Sequence, residues 1–154
     1  MTTVMIQEAR ARVTVGIFAD MPDAVAAARP SGESAEAALA FLTEMSPDLR
    51  GAAILGPDGE LLAATGEEPE RWREDAAALF VAADGAEDVP VEQMHIATEQ
   101  GEVFAVRNAG LAAVTVTDRF ALASLMLFDM GSTLRRLASS DFGPPEGPHP
   151  RRGD

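Results

Sequence analysis

Apolar residues recur with helical period once the chain passes residue 34. Ala35, Ala38, Leu39, Leu42 and Met45 fall on one face. Ser34 stands where an N-cap belongs, Glu36 lies at the positive end of the helix, and Pro47 stops it. The period then changes. Gly51-Ala-Ala-Ile-Leu55 and Glu60-Leu-Leu-Ala-Ala-Thr65 are short apolar runs on either side of Gly56-Pro57-Asp58-Gly59, and together they predict a β-hairpin. Helical spacing returns at Pro69, where Trp72, Ala76, Leu79, Phe80 and Ala83 form a stripe. Glu67, Glu68 and Glu70 crowd the start of this helix, and Gly85 is expected to end it. Three strands are predicted next, at 91–98, 103–107 and 111–117, joined by tight turns at 99–102 and 108–110. Asp118 is read as the cap of a last helix that reaches about residue 138.

The order is helix, two strands, helix, three strands, helix. Short connections pair consecutive strands antiparallel, which predicts an α/β (α+β) domain built on one five-stranded antiparallel sheet. Ala52 and Ile54 point one way and Ala53 and Leu55 the other, and residues 103–106 are also apolar on both faces. Such strands need helices on both faces. The strand at 91–98 mixes Glu92, Gln93 and His95 with its apolar residues, so it is read as a weakly protected edge. The last helix is apolar nearly all round, with Phe120, Leu122, Leu125, Met126, Leu127, Phe128, Met130, Leu134 and Leu137, which predicts burial on more than one side. Residues 34–138 are therefore taken as the domain. Residues 1–33 form an N-terminal arm with an extra strand at 12–18 and a short helix at 22–28. Residues 139–154, rich in Pro and Gly, are read as a disordered tail.

Composition narrows the function. A chain of 154 residues, 47% hydrophobic, suits one domain with a proper core. It has no cysteine, so disulfides and thiolate metal sites are excluded. All 12 basic residues are arginines, and the formal net charge is −13, a sign that repels nucleic acid and anionic membranes. No apolar run is long enough to span a bilayer, and the start lacks the basic end and apolar stretch of a signal peptide, so a cytoplasmic location is expected.

Candidate chemistry is sparse. His149 lies in the tail, and His95 sits on a strand with no ligand-type neighbour at useful spacing, so it is read as structural. Without lysine the chain has no phosphate-loop lysine and no Schiff-base chemistry, and no Gly-x-Ser-x-Gly elbow occurs. No catalytic, cofactor or metal residue is assigned, and no enzymatic activity is expected. Glu67, Glu68, Glu70, Glu74 and Asp75 read as a solvated helix end. Arg71, Arg135 and Arg136 are weighed as arginine fingers offered to a GTPase and set aside as ordinary surface arginines. The final Arg152-Gly153-Asp154 is treated as a chance match to an adhesion tripeptide.

Gly51-Ala-Ala-Ile-Leu-Gly-Pro-Asp-Gly-Glu-Leu-Leu-Ala-Ala-Thr65 resembles the opening hairpin of roadblock-type (dynein light-chain roadblock) domains. Gly110-Leu-Ala-Ala-Val-Thr-Val-Thr-Asp-Arg119 resembles the last strand of those domains leading into their final helix, and the resemblance covers roughly 34–138. It implies a non-catalytic module that forms dimers with itself or a paralogue and binds or regulates small Ras-like GTPases. In such dimers the middle strand pairs with its copy and the second helices lie together. Mapped here, that implies an interface of Trp72, Ala76, Leu79, Phe80, Ala83, Met94 and Ile96. Two other readings stay open: a small-molecule sensor of a signalling system, and a structural subunit of a larger assembly.

Overall fold

The last three strands form a meander because their connections leave no other course. The turn between the final two has positive φ at both Ala109 (54°) and Gly110 (78°), the backbone of a tight hairpin turn whose twist matches its strands. The computed structural model describes residues 2–6, 11–16, 30–87 and 90–139. Its elements are β1 Thr2–Ile6, β2 Ala11–Gly16, α1 Gly32–Met45, β3 Leu49–Leu55, β4 Leu61–Ala64, α2 Pro69–Glu87, β5 Gln93–Ala97, β6 Glu102–Asn108, β7 Leu111–Thr117 and α3 Ala123–Ala138. The expected five strands make one antiparallel sheet in the order β5-β6-β7-β3-β4. The arm adds two more beyond β5, giving β1-β2-β5-β6-β7-β3-β4.

Period-two alternation divides the sheet into two faces, each with its own core. On one face Ala52, Ile54, Phe104, Val106, Leu111 and Ala113 pack with Leu39 and Leu42 of α1 and with Met130, Leu134 and Leu137 of α3. On the other face Leu55, Met94, Ala105, Ala112 and Val114 pack with Ala76 and Ala83 of α2. Helices therefore cover both faces, two on one side and one on the other.

Three helix boundaries and one edge assignment differ from expectation. Helix α1 begins three residues early: Ser31, not Ser34, is the cap, and its Oγ accepts a hydrogen bond from Ser34 N at 3.1 Å. Gly85 does not end α2, which runs on to Glu87. Asp118 does not cap α3. Its carboxylate meets Arg50 Nε at 2.6 Å and its N–H donates to Asp48 O, while the helix starts at Ala123 after a turn. Strand β5 is not an edge, because β2 pairs with it from Arg12↔Ala97 to Gly16↔Gln93. The arm strand expected at 12–18 is thus β2, and β1 was not foreseen. The helix expected at 22–28 and the tail at 140–154 lie outside the described residues.

Candidate functional site

Two parallel rows of side chains cross the sheet on the α2 face. Strand pairing aligns Met94 with Ala105, Val114 and Ala53, and this row is buried under α2. Pairing likewise aligns Ile96 with Val103, Val116 and Gly51, and in this row the two valines and Ile96 remain half-exposed. Helix α2 lies along β4 and β3 and leaves the second row open. The result is a groove of ≈ 700 Å³ beside the helix. Leu79, Ile96, Val103, Val114 and Val116 give it apolar walls, and Arg50, Glu67, Glu68, Arg71 and Asp75 stand around it.

One contact sets where the helix sits. The Trp72 ring lies on Gly51, where a Cβ would come within 2.9 Å of Trp72 Cζ2, so the strand needs glycine at that point. Trp72 Nε1 also donates to Thr65 O at 3.1 Å, which ties the first half of α2 to the end of the hairpin. A second clamp holds the far end. Arg107 pairs with Asp84 through both terminal guanidinium nitrogens, with Nη1 to Oδ2 at 3.1 Å. It also donates from Nε to Val91 O at 2.7 Å and stacks over the Phe80 ring at 4.4 Å. Asp84 accepts from Val91 N at 2.8 Å. The Arg107 hydrogen bond holds the Asp84 carboxyl below the usual carboxylate range, outweighing the opposite effect of burial.

The predicted interface residues divide accordingly. Ala76, Ala83 and Met94 are buried within the subunit, while Trp72, Leu79, Phe80 and Ile96 are half-exposed beside or along α2. The edge of β5 that the resemblance assigns to a second subunit is filled by β2. Glu67, Glu68 and Asp75 of the acidic cluster border the groove, as does Arg71, which lies 3.5 Å from Glu68. Arg135 and Arg136 sit on α3, on the other face of the sheet, with Arg136 over the Phe41 ring. Sequence reasoning did not single out Arg50, Val103, Val114 or Val116. The signal was present in the period-two alternation of β6 and β7, which puts those valines on the face of Ile96.

His95 is held by two partners. Its ring stacks on Phe104 at 4.5 Å between centroids, and Nε2 lies 3.2 Å from Glu102 Oε1. The other Glu102 oxygen accepts from Ala121 N at 2.9 Å, so this buried carboxylate ties β5 and β6 to the turn before α3. Among the described residues no group of three or more His, Asp or Glu could hold a metal ion, and no helix is long and apolar enough to cross a membrane.

Neither the models of known protein families nor the curated proteins contain a match to the chain. Solved structures do match. The gliding protein mglB of Thermus thermophilus aligns with a TM-score of 0.57 at 15% identity, covering 79% of this chain and 99% of that one. A Roadblock/LC7 domain from Streptomyces avermitilis aligns with a TM-score of 0.53 at 19% identity, covering 66% of this chain and 90% of that one. LokiProfilin1, solved in complex with rabbit actin, aligns with a TM-score of 0.53 at 18% identity over 71% of this chain and 98% of its own. The chain has the roadblock-type fold, close in architecture to profilin.

Proposed function

We propose that the protein is a non-catalytic cytoplasmic binding module whose α2 face holds a protein partner, and that this partner is a small Ras-like GTPase. The observation that carries this reading is the half-covered row Ile96–Val103–Val116 beside α2, apolar at its centre and charged at its rim. Protein interfaces share that anatomy: an apolar core excludes water while polar groups around it set orientation. Arg50 and Arg71 at the rim stand among Glu67, Glu68 and Asp75, so a partner of mixed surface charge fits better than a polyanion. The GTPase enters from the roadblock resemblance, whose fold the chain has.

The test is calorimetric titration of the full chain with Ras-like GTPases from the same source, each loaded with GDP or with a non-hydrolysable GTP analogue. Binding in at least one nucleotide state is expected, and Leu79→Glu should weaken it about 10-fold or more by placing a charge in the apolar wall. If no GTPase binds in either state, or if Leu79→Glu binds as the parent does, the reading fails. Hydrolysis rates of the complex then separate activation from scaffolding.

A second reading has one observation of its own. A groove of ≈ 700 Å³ also falls within the size range of small-ligand sites, as a sensor domain would need. Thermal melts with nucleotides and common metabolites test it, because a ligand of the folded state raises the melting temperature by mass action.

A further inference from the structure

Helices α1 and α3 lie side by side on one face of the sheet, whereas among the described residues the other face carries α2 alone. Helix α2 crosses that face obliquely. Its first half meets Gly51 of β3 through Trp72, and its last turns meet Arg107 of β6 and Val91 before β5 through Asp84. The strip of sheet beside it, Val116, Val103 and Ile96, is apolar and half-exposed. Register carries the row one strand further, because Val13 of β2 pairs with Ile96. From β7 to β2 the row crosses three strand spacings, about 14 Å, which about 10 residues of α-helix would cover. Layered folds close an apolar strip of this kind with a helix.

The wall that α2 offers to the groove is a single column: Arg71, Asp75 and Leu79 follow at a spacing of four, and all three line it. Both cations of the groove have partners, Arg50 with Asp118 and Arg71 with Glu68. Glu67 and Asp75 are the lining charges left without a partner among the described residues. Asp75 stands at the middle of the wall, between the charged end and Leu79.

Taking the α2 face as the partner-binding surface proposed above, we infer that the groove receives an amphipathic α-helix of the partner. Its apolar side lies on Val116, Val103 and Ile96, and one of its lysines or arginines meets Asp75. Helices seat in apolar grooves through anchors at i, i+3, i+4 and i+7, and a cation opposite an uncommitted acid fixes their register. An acidic helix is disfavoured twice, by Asp75 and by the −13 charge of the whole chain. The chain itself offers no nearer occupant at its described ends. It leaves β2 at Gly16, beside Gln93 and three positions from Ile96, and resumes at Pro30 before α1 on the other face.

Trp72 is the one tryptophan of a chain without tyrosine, and it lines the groove, so its fluorescence reports occupancy. The probes are two synthetic helical peptides of about 14 residues, each with leucines at i, i+3, i+4 and i+7. One carries flanking lysines and the other glutamates at the same positions. The lysine peptide is expected to shift the Trp72 emission saturably, and the glutamate peptide to bind about 10-fold more weakly or less. Asp75→Arg should weaken the lysine peptide about 10-fold and strengthen the glutamate peptide. Glu74→Arg, an exposed neighbour outside the groove lining, makes the same change in net charge and should alter either affinity less than about 3-fold. Circular dichroism checks the fold of both variants. No saturable Trp72 signal from either peptide, or equal effects of the two substitutions, overturns the inference. So does a Trp72 shift that appears with chain concentration alone, which would put a second copy in the groove. The GTPase titration separates the two readings. A GTPase that binds the parent and Asp75→Arg equally overturns the helix inference and spares the GTPase reading, whereas peptide results as expected with no GTPase bound do the reverse.

Discussion

Residue-scale chemistry explains why α2 stays in place even though it buries only two of its alanines completely. Its C-terminal part is held less by apolar burial than by Asp84 and Arg107, which link it to β6 and to Val91 before β5. Because the Asp84 carboxyl titrates below its ordinary value, its contribution is complete at neutral pH and fades as pH falls through and below the usual carboxylate range. Asp84→Asn keeps an acceptor for Val91 N but loses the charge. It should cost about 1–2 kcal/mol at neutral pH, since about a third of each side chain remains in water. Urea melts of parent and variant should draw together as the pH is lowered toward about 2.5. A gap that stays constant with pH would mean that packing, not the ion pair, holds the helix. Neither partner was visible as a pair in the sequence: Asp84 and Arg107 lie 23 positions apart, and only the meander brings them together. Gly51 is a similar case. It read as the start of a strand, whereas its role is to admit the Trp72 ring.

At the scale of elements, most of the fold was legible because its signals are local. The Pro-Asp-Gly hairpin, the proline start of α2 and the period-two runs of β6 and β7 each carry their pattern within a few residues. The roles of β1 and β2 were hidden because strand pairing is non-local: nothing within Thr2–Ile6 or Ala11–Gly16 says which edge they join. The polar residues around β5 pointed to an edge, but His95 among them is satisfied another way, by Glu102 and by stacking on Phe104. The site was half legible. The α2 stripe was found, but taking all of it, with Met94 of β5, as interface placed Ala76, Ala83 and Met94 on a surface, whereas they lie buried in the core between α2 and the sheet. The arm carries a prediction of its own. Hydrogen exchange read by mass spectrometry should show Gln93–Ala97 protected in the full chain and exchanging faster once residues 1–16 are deleted, because half of the β5 backbone groups then lose their partners. Equal protection in both proteins would show that β2 does not seal this edge.

The molecule as a whole sets short-range attraction against long-range repulsion. Among the described residues, arginines pair with acids at Arg50–Asp118, Arg71–Glu68 and Arg107–Asp84, while 25 acidic residues face 12 basic ones across the chain. The exposed pairs among these are each worth at most about 1 kcal/mol, whereas the excess negative charge is crowded onto one folded body and eased when the chain unfolds. Salt screens both terms. Repulsion acts over distances comparable with the Debye length of about 10 Å at 0.1 M, so it is screened first, while the contacts at 2.6–3.5 Å are screened least. Adding sodium chloride from about 0.02 to 0.5 M should therefore raise the melting temperature, by about 2–4 °C for each kcal/mol of repulsion relieved. A melting temperature that falls with salt would place the balance the other way, with the arginine pairs outweighing the charge excess.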